Sequence, residues 1–276
     1  MRRPAWSATG MAGLGTAALL VAVAFPLWVA AVASLSPEAR LFEGIGLWPR
    51  ELVLEHYRRL FTQRGFWMPI RNSLVVAGST TLLCLALGAP CAYALARLRF
   101  RGRSVLLAGI LAISMFPQIS LVPPLFLVLR AVGLIDSYPG LVLPYVTFAM
   151  PLTIWLLVGY FRQLPVELEE AARVDGASRL RVGVEIVLPL AAPAIATTAI
   201  LTFVYCWNEF LFALSFTLGP ERHTVPVAIA LFRGQYQVPW GEVLAAAMVA
   251  TAPVALLALA FQRRIVQGLV AGAVKG

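Results

Sequence analysis

Six stretches of this chain carry no charged side chain: Met11 to Leu35, Asn72 to Ala96, Ser104 to Leu129, Leu141 to Phe161, Ile186 to Asn208 and Val243 to Gln262. Each reaches the ~20 residues that a helix needs to cross a hydrocarbon core at ~1.5 Å per residue. No water is present there to satisfy peptide groups, so the segments must bond internally as helices, with Gly and Pro tolerated inside them. The expected fold is therefore all-α, a polytopic membrane protein with six transmembrane helices. Composition agrees. The chain is 60% hydrophobic and 13% charged, where a soluble domain holds about a quarter charged residues.

The net charge of +9 suggests a nucleic-acid partner, but its distribution argues against one. The arginines fall in short segments between spans, next to membrane lipid. An even number of spans puts both ends on one side. With the N-terminus in the cytoplasm, the inside segments hold Arg2 and Arg3, the tight cluster Arg97, Arg99, Arg101 and Arg103, and Arg162, Arg173, Arg179, Arg181, Arg263, Arg264 and Lys275. That bias follows the positive-inside rule and predicts both termini in the cytoplasm. The first span also resembles a secretory signal, with Ala31-Val32-Ala33 at a plausible cleavage position. Its apolar stretch exceeds the usual h-region, which favours a retained anchor.

Several kinds of chemistry are missing. The only lysine is Lys275, followed by Gly276, so no phosphate-binding Gly-Lys-Ser/Thr loop exists. His56 and His223 stand apart in different loops and promise no metal. Asp136 and Asp175 offer no triad partner, and no nucleophile elbow is present. Glu209 is the one ionisable group expected deep in a span, so a relay of intramembrane carboxylates is absent. Cys84, Cys91 and Cys206 read as small apolar fillers within spans. No catalytic residue and no cofactor of its own is expected, so any transport must draw its energy from elsewhere.

Between the first two spans, Val53, Tyr57, Leu60 and Phe61 repeat at helical spacing. Pro49 to Phe61 reads either as a helix on the outer membrane surface or as a packing helix. Pro117, Pro123 and Pro124 favour kinks in the third span. The stretch from Leu164 to Pro189, on the cytoplasmic side, reads as two short helices. Pro165 suits the first helical position, and Glu167, Glu169 and Glu170 suit the first turns. Gly176 can close the first helix in a left-handed conformation, Ser178 can cap the second, and Pro189 is expected to break it before span five. Ala171 and Ala172 keep one face flat for close approach. Such a pair serves either as a docking site or as an amphipathic connector.

The same stretch resembles the coupling motif of ATP-binding-cassette importer permeases: Glu-Ala-Ala, three residues, Gly, nine residues, Ile-x-Leu-Pro. Here stand Glu170, Ala171, Ala172, then Gly176, then Ile186, Leu188 and Pro189, with Asp175-Gly176-Ala177 in the form common among sugar importers. Met115-Phe116-Pro117, Gly133-Leu134, Gly140 to Tyr145, Trp207 to Phe210 and the end from Gln262 to Gly276 are similar to the maltose/trehalose-type permeases. The resemblance implies a single MetI-like permease domain of the type I importers over residues 1–276. A first helix over 11–35 would join a five-helix core over 72–262, with a coupling loop over 164–189. It also implies a second permease subunit, two ATPase subunits that bind the ATP and Mg, and an extracytoplasmic sugar-binding protein. By the same resemblance Glu170 to Gly176, with Ala177 and Pro189, would dock on the ATPase. The tail at Gln267, Gly268 and Lys275 would reach between the ATPase subunits, and Tyr236 and Trp240 would meet the binding protein. Gly183, Val184 and Glu185 depart from the family pattern, which puts part of that contact in doubt.

Asn208 and Glu209, in an otherwise apolar span, either face a cavity or brace a neighbouring helix. Trp207, Gln118 and Thr147 are further candidates for a substrate pathway. The implied substrate is a di- or oligosaccharide of the trehalose or maltose kind. Within the class a polyol or glycerol-phosphate importer is the alternative. Outside it the rivals are a transporter or channel acting alone and, more weakly, a membrane enzyme.

Overall fold

The computed structural model describes residues 6–42, 46–232 and 238–273, with side chains from Gly13 to Gln262 inside those limits. The described residues are helical or in turns. In order come α1 (Trp6–Ser34), a short 3-10 turn (Glu38–Phe42), α2 (Glu55–Thr62), α3 (Trp67–Arg97), α4 (Arg103–Ser114), α5 (Gln118–Ala131) and α6 (Tyr138–Phe161). Then follow α7 (Val166–Val174), α8 (Arg179–Val182), a π-helical turn (Gly183–Val187), α9 (Leu188–Trp207), α10 (Leu211–Phe216), α11 (Val225–Ala230) and α12 (Trp240–Ala273).

Five helices are long and apolar enough to cross a membrane, and α4 with α5 makes a sixth crossing bent by 90°. The third span is thus not the single helix expected over Ser104 to Leu129. Pro117, at φ −63° and ψ 114°, turns the chain into extended backbone between α4 and α5, and a proline offers no N–H to continue the first helix. Pro123 and Pro124 lie inside α5.

Hydrogen bonds show that the bent pair crosses. At the start of α3, Asn72 accepts from the Tyr138 hydroxyl at the start of α6, at 2.7 Å. At the end of α3, Arg97 donates to the Leu164 carbonyl just beyond α6. The two helices therefore run parallel, and α4 and α5 between them must return the chain to the first end. Asn72 also donates to the Glu221 and His223 carbonyls, at 2.8 and 3.0 Å. That contact carries α9 and α10 back to the same end.

The chain divides into two compact units, Met1–Trp67 with Ile229–Ala252, and Met68–Ala228 with Pro253–Gly276. The first part of α12 thus falls in the same unit as α1. In the first unit α1 leaves Leu14, Leu19, Val21 and Val23 largely exposed, an apolar surface suited to lipid. The helix runs through Ala31 to Ala33, with Val32 and Ala33 buried. α2 begins at Glu55, not near Pro49, and buries His56 and Leu60. The Tyr57 hydroxyl meets that of Ser34 at 2.7 Å, and Arg64 pairs with Glu242 at 2.9 Å. These contacts fit the packing-helix alternative, and only Phe61 keeps much of its ring outside.

In the second unit α6 packs chiefly on α9, and α4 packs on α6. Thr153 and Thr202 join α6 to α9 by a buried hydroxyl pair at 2.9 Å. Between membrane helices such polar contacts and tight packing substitute for a hydrophobic driving force. Two cores result. One centres on Tyr145, Phe148, Phe212 and Phe216. The other, at the Arg97 end, centres on Leu95, Leu157, Phe161, Val182 and Val187.

Candidate functional site

The stretch from Leu164 to Pro189 folds as two short helices at the Arg97 end. α7 starts at Val166 and its N-cap is Pro165, one place earlier than the first helical position expected for it. Pro165 holds φ −58° and ψ 127°, the extended turn of a capping residue. Glu167 and Glu169 lie in the first turn, where the positive end of the helix dipole favours carboxylates. The C-terminus closes in a full Schellman motif. Gly176 sits at φ +85°, its N–H donates to the Arg173 carbonyl at 3.1 Å, and the Ala177 N–H donates to that of Ala172 at 2.9 Å. Ser178 then caps α8, accepting from the Arg181 N–H at 3.3 Å.

Pro189 does not break α8 from the span, contrary to expectation. Helical dihedrals continue from Val182 through Leu188, and the Leu188 N–H bonds Gly183 five residues back. Pro189 brings no N–H to the ladder, but the backbone changes register in the π turn just before it and stays helical, so the helix passes directly into α9. Gly183, Val184 and Glu185, where the sequence departs from the family pattern, form this turn. Glu185 pairs with Arg181 at 2.8 Å.

The helix pair has an inner and an outer face. Ala172 and Ala177 pack on the lower core, with Val182 and Val187 inside it. Glu169 shares its place in the first turns of α7 with Glu167 and Glu170, yet it anchors the pair. Its carboxylate lies 2.8 Å from Arg97 Nε in a close charge contact and accepts from the Tyr93 hydroxyl at 2.8 Å. The Glu169 and Arg97 side chains are only 13% and 9% exposed. Arg97 adds its bond to the Leu164 carbonyl. A local signal for this exists. Glu169 lies three residues before half-buried Ala172, so both share the inward side of α7. Glu170, Ala171, Asp175 and Gly176 lie on the outer face, exposed. Beside them Val174 is 88% and Leu180 79% exposed. Ala171 is exposed and Ala172 half-buried on the lower core, so the two do not make one flat face.

The remaining candidate residues separate. Gln118, at the start of α5, donates to the Tyr205 hydroxyl at 2.8 Å. These two border a pocket of about 310 Å³ with Leu111, Ser114, Phe148, Leu152 and Trp155. Thr147 is exposed and bonded to the Leu143 carbonyl of its own helix. Trp207 is 3% exposed and stacked on Phe203 at 5.7 Å, so its ring has no open face for a ligand. Glu209 is not in the middle of a helix, as the sequence suggested, but in the break between α9 and α10. Its two carboxylate oxygens accept from the Phe212 and Ala213 N–H groups, at 2.9 and 3.2 Å. This buried carboxylate satisfies the donors that open α10. Asn208 caps α9, is exposed, and donates to the Val204 carbonyl. Trp240 opens α12 with nearly half its surface exposed. Tyr236 and Lys275 lie outside the described residues, as do the side chains of Gln267 and Gly268, whose backbone continues α12. Among the described residues no group of His, Cys, Asp or Glu is arranged to hold a metal ion.

Known proteins show the same architecture. A bacterial ABC transporter involved in the import of the acidic polysaccharide alginate matches with a TM-score of 0.78 at 24% identity, over 95% of this chain and 98% of that one. In sequence the chain is 45% identical to the trehalose transport system permease protein SugB of Mycobacterium tuberculosis, over 98% of each chain. It is 42% identical to the trehalose/maltose transport system permease protein MalG of Thermococcus litoralis, over 95% of each. It is 40% identical to the sulfoquinovosyl glycerol transport system permease protein SmoH of Agrobacterium fabrum, over 94% of this chain and 91% of the relative. The model of the binding-protein-dependent transport system inner membrane component matches residues 85–270, which include the whole helix pair. With six crossings and near full-length likeness to permeases, the chain belongs to the family of binding-protein-dependent transport system inner membrane components, as a membrane-spanning permease.

Proposed function

We propose that this permease supplies half of the translocation pathway of an importer for a di- or oligosaccharide, and that α7 and α8 transmit to it the work of a separate ATPase. The observation that carries this reading is the helix pair itself. It is closed by the Schellman turn at Gly176 and the Ser178 cap, rooted in the lower core and tied to α3 through Arg97, yet it turns Glu170, Asp175, Val174 and Leu180 outward. An exposed apolar patch with a charged rim, on a rigid support, is what a docking surface needs. The ATP and Mg would be held by two ATPase subunits, the other half of the pathway by a second permease, and the sugar delivered by an extracytoplasmic binding protein. Trp240 and Tyr236 would meet that protein, and the tail at Gln267, Gly268 and Lys275 would meet the ATPase.

The saccharide class rests on the trehalose and maltose relatives and on a pathway of neutral residues. Gln118, Thr147 and Asn208 would face it, with Trp207 and Glu209 bracing the wall behind. Both termini would lie in the cytoplasm, since α7 and α8 share an end of the bundle with Arg97 and the basic cluster that follows it.

The test is Gly176→Val. At a φ of +85° a β-branched residue costs roughly 1–3 kcal/mol and shifts the turn, while open space around the site leaves no clash. The six spans should still insert. ATPase co-purification should fall, or ATP hydrolysis should stop responding to the loaded binding protein in reconstituted vesicles. Wild-type coupling in this variant would remove the mechanism.

A further inference from the structure

We propose that the pocket at the break of the third span is a sugar subsite of this chain, with Trp155 and Phe148 as its aromatic wall and Gln118 and Tyr205 as its hydrogen-bonding edge. The inference rests on the saccharide-importer reading and names where this chain touches the cargo.

Depth is the first argument. α4 has 12 residues and α5 has 14, so the break between them falls near the middle of the crossing. Irregular backbone at that depth is tolerated only inside protein or beside a water-filled cavity. Met115 and Phe116, in the break, are largely exposed in this chain, so the break does not close on the chain's own core and is left for the pathway or the second permease to cover.

The second argument is unspent hydrogen bonding. Gln118 Nε2 donates to the Tyr205 oxygen. The Tyr205 proton and the Gln118 carbonyl oxygen then have no bonded partner among the described residues. Ser114 Oγ donates to the Leu111 carbonyl at 2.7 Å and keeps its own acceptor capacity. A donor and two acceptors thus line one small space and are free to bond the hydroxyls of a ligand. Among the lining residues there is no charge, so the site suits a neutral ligand and not a phosphate. A sugar ring has apolar C–H faces for an aromatic wall and hydroxyls for an amide and a phenol. At about 310 Å³ the pocket is at the small end of ligand sites, which run ~300–1,000 Å³. It holds a short saccharide unit, not a long chain. A lipid tail would use the wall and leave the polar edge unmet.

The experiment uses the complete transporter in vesicles, with binding protein loaded with trehalose or maltose, and reads sugar moved per ATP hydrolysed. Tyr205→Phe and Gln118→Leu should each lower that ratio by about three- to tenfold, the loss of one net hydrogen bond. Trp155→Leu should lower it similarly, and Trp155→Tyr should restore most of it. The ratio separates a lost sugar contact from lost assembly, which lowers transport and hydrolysis together. An unchanged ratio in Tyr205→Phe and Gln118→Leu, or Trp155→Leu behaving like Trp155→Tyr, overturns the subsite. Wild-type vesicles that move no saccharide, while hydrolysing ATP, overturn the parent reading first and the subsite with it.

Discussion

Three glutamates near the ends of spans serve three different purposes, and the difference is set by what each side chain can reach. Glu170 points outward into open space, Glu169 is buried against Arg97 and Tyr93, and Glu209 bonds two backbone donors. Removing one member of a buried pair leaves a charge unmet and costs about 3–5 kcal/mol, whereas replacing both by apolar groups is often nearly neutral. Glu169→Met and Arg97→Met should therefore each lower thermal stability of the detergent-solubilised protein strongly. The double variant should be more stable than either single one. Additive losses would show that the pair does not hold α7 to α3. At Glu209 the acceptors matter more than the charge. Glu209→Gln keeps one acceptor and should be mild, while Glu209→Ala should lose about 0.5–2 kcal/mol as a missing cap. Equal stability of the two variants, measured by thermal unfolding, would refute the capping role.

At the scale of elements, the parts legible in the sequence are those decided within a few residues. The Schellman turn at Gly176 and the Ser178 cap were readable because the φ of a glycine and the reach of a hydroxyl are local. The spans were readable because charge is excluded from lipid. The partnership of Arg97 with Glu169 was not, since the two lie far apart in sequence and meet only because α3 and α6 run parallel. The sequence offers Trp207 as a candidate for the substrate pathway, and the structure packs it on Phe203. Its neighbours in sequence carry no sign of which side faces the core. Pro189 misled for a related reason. A proline predicts a break at its missing donor, but the helix changes register in a π turn just before it and continues. The outer face of the helix pair gives a sharper test of docking than its charges do. Leu180 keeps 79% of its surface exposed. Leu180→Glu should leave thermal stability within about 0.5 kcal/mol, as surface substitutions do. It should also reduce ATPase co-purification by burying a charge at the interface. Undiminished co-purification would place the docking contact elsewhere.

At the scale of the whole molecule, the number of crossings decides which side the termini share, and the bent pair is the pivot. If α4 and α5 formed a re-entrant loop, five crossings would remain and the two ends would lie on opposite sides. The bonds of Asn72 with Tyr138 and of Arg97 with Leu164 argue for six. Those bonds make α3 and α6 parallel, and only a complete return crossing can connect parallel neighbours. The basic cluster Arg97 to Arg103 then sets the absolute direction by the positive-inside rule. Single cysteines test both steps at once. In a background with Cys84, Cys91 and Cys206 replaced by alanine, Arg101→Cys and Asp175→Cys mark the coupling end and Glu221→Cys the other. An impermeant maleimide should label Glu221→Cys in intact cells, and should label the other two only after the membrane is opened. Labelling of Asp175→Cys from outside while Arg101→Cys stays protected would mean that α4 and α5 do not cross. Labelling of Arg101→Cys and Asp175→Cys together from outside would keep six crossings and invert the molecule. That result would place the helix pair where no cytoplasmic ATPase can reach it, and the coupling mechanism would fail with the orientation.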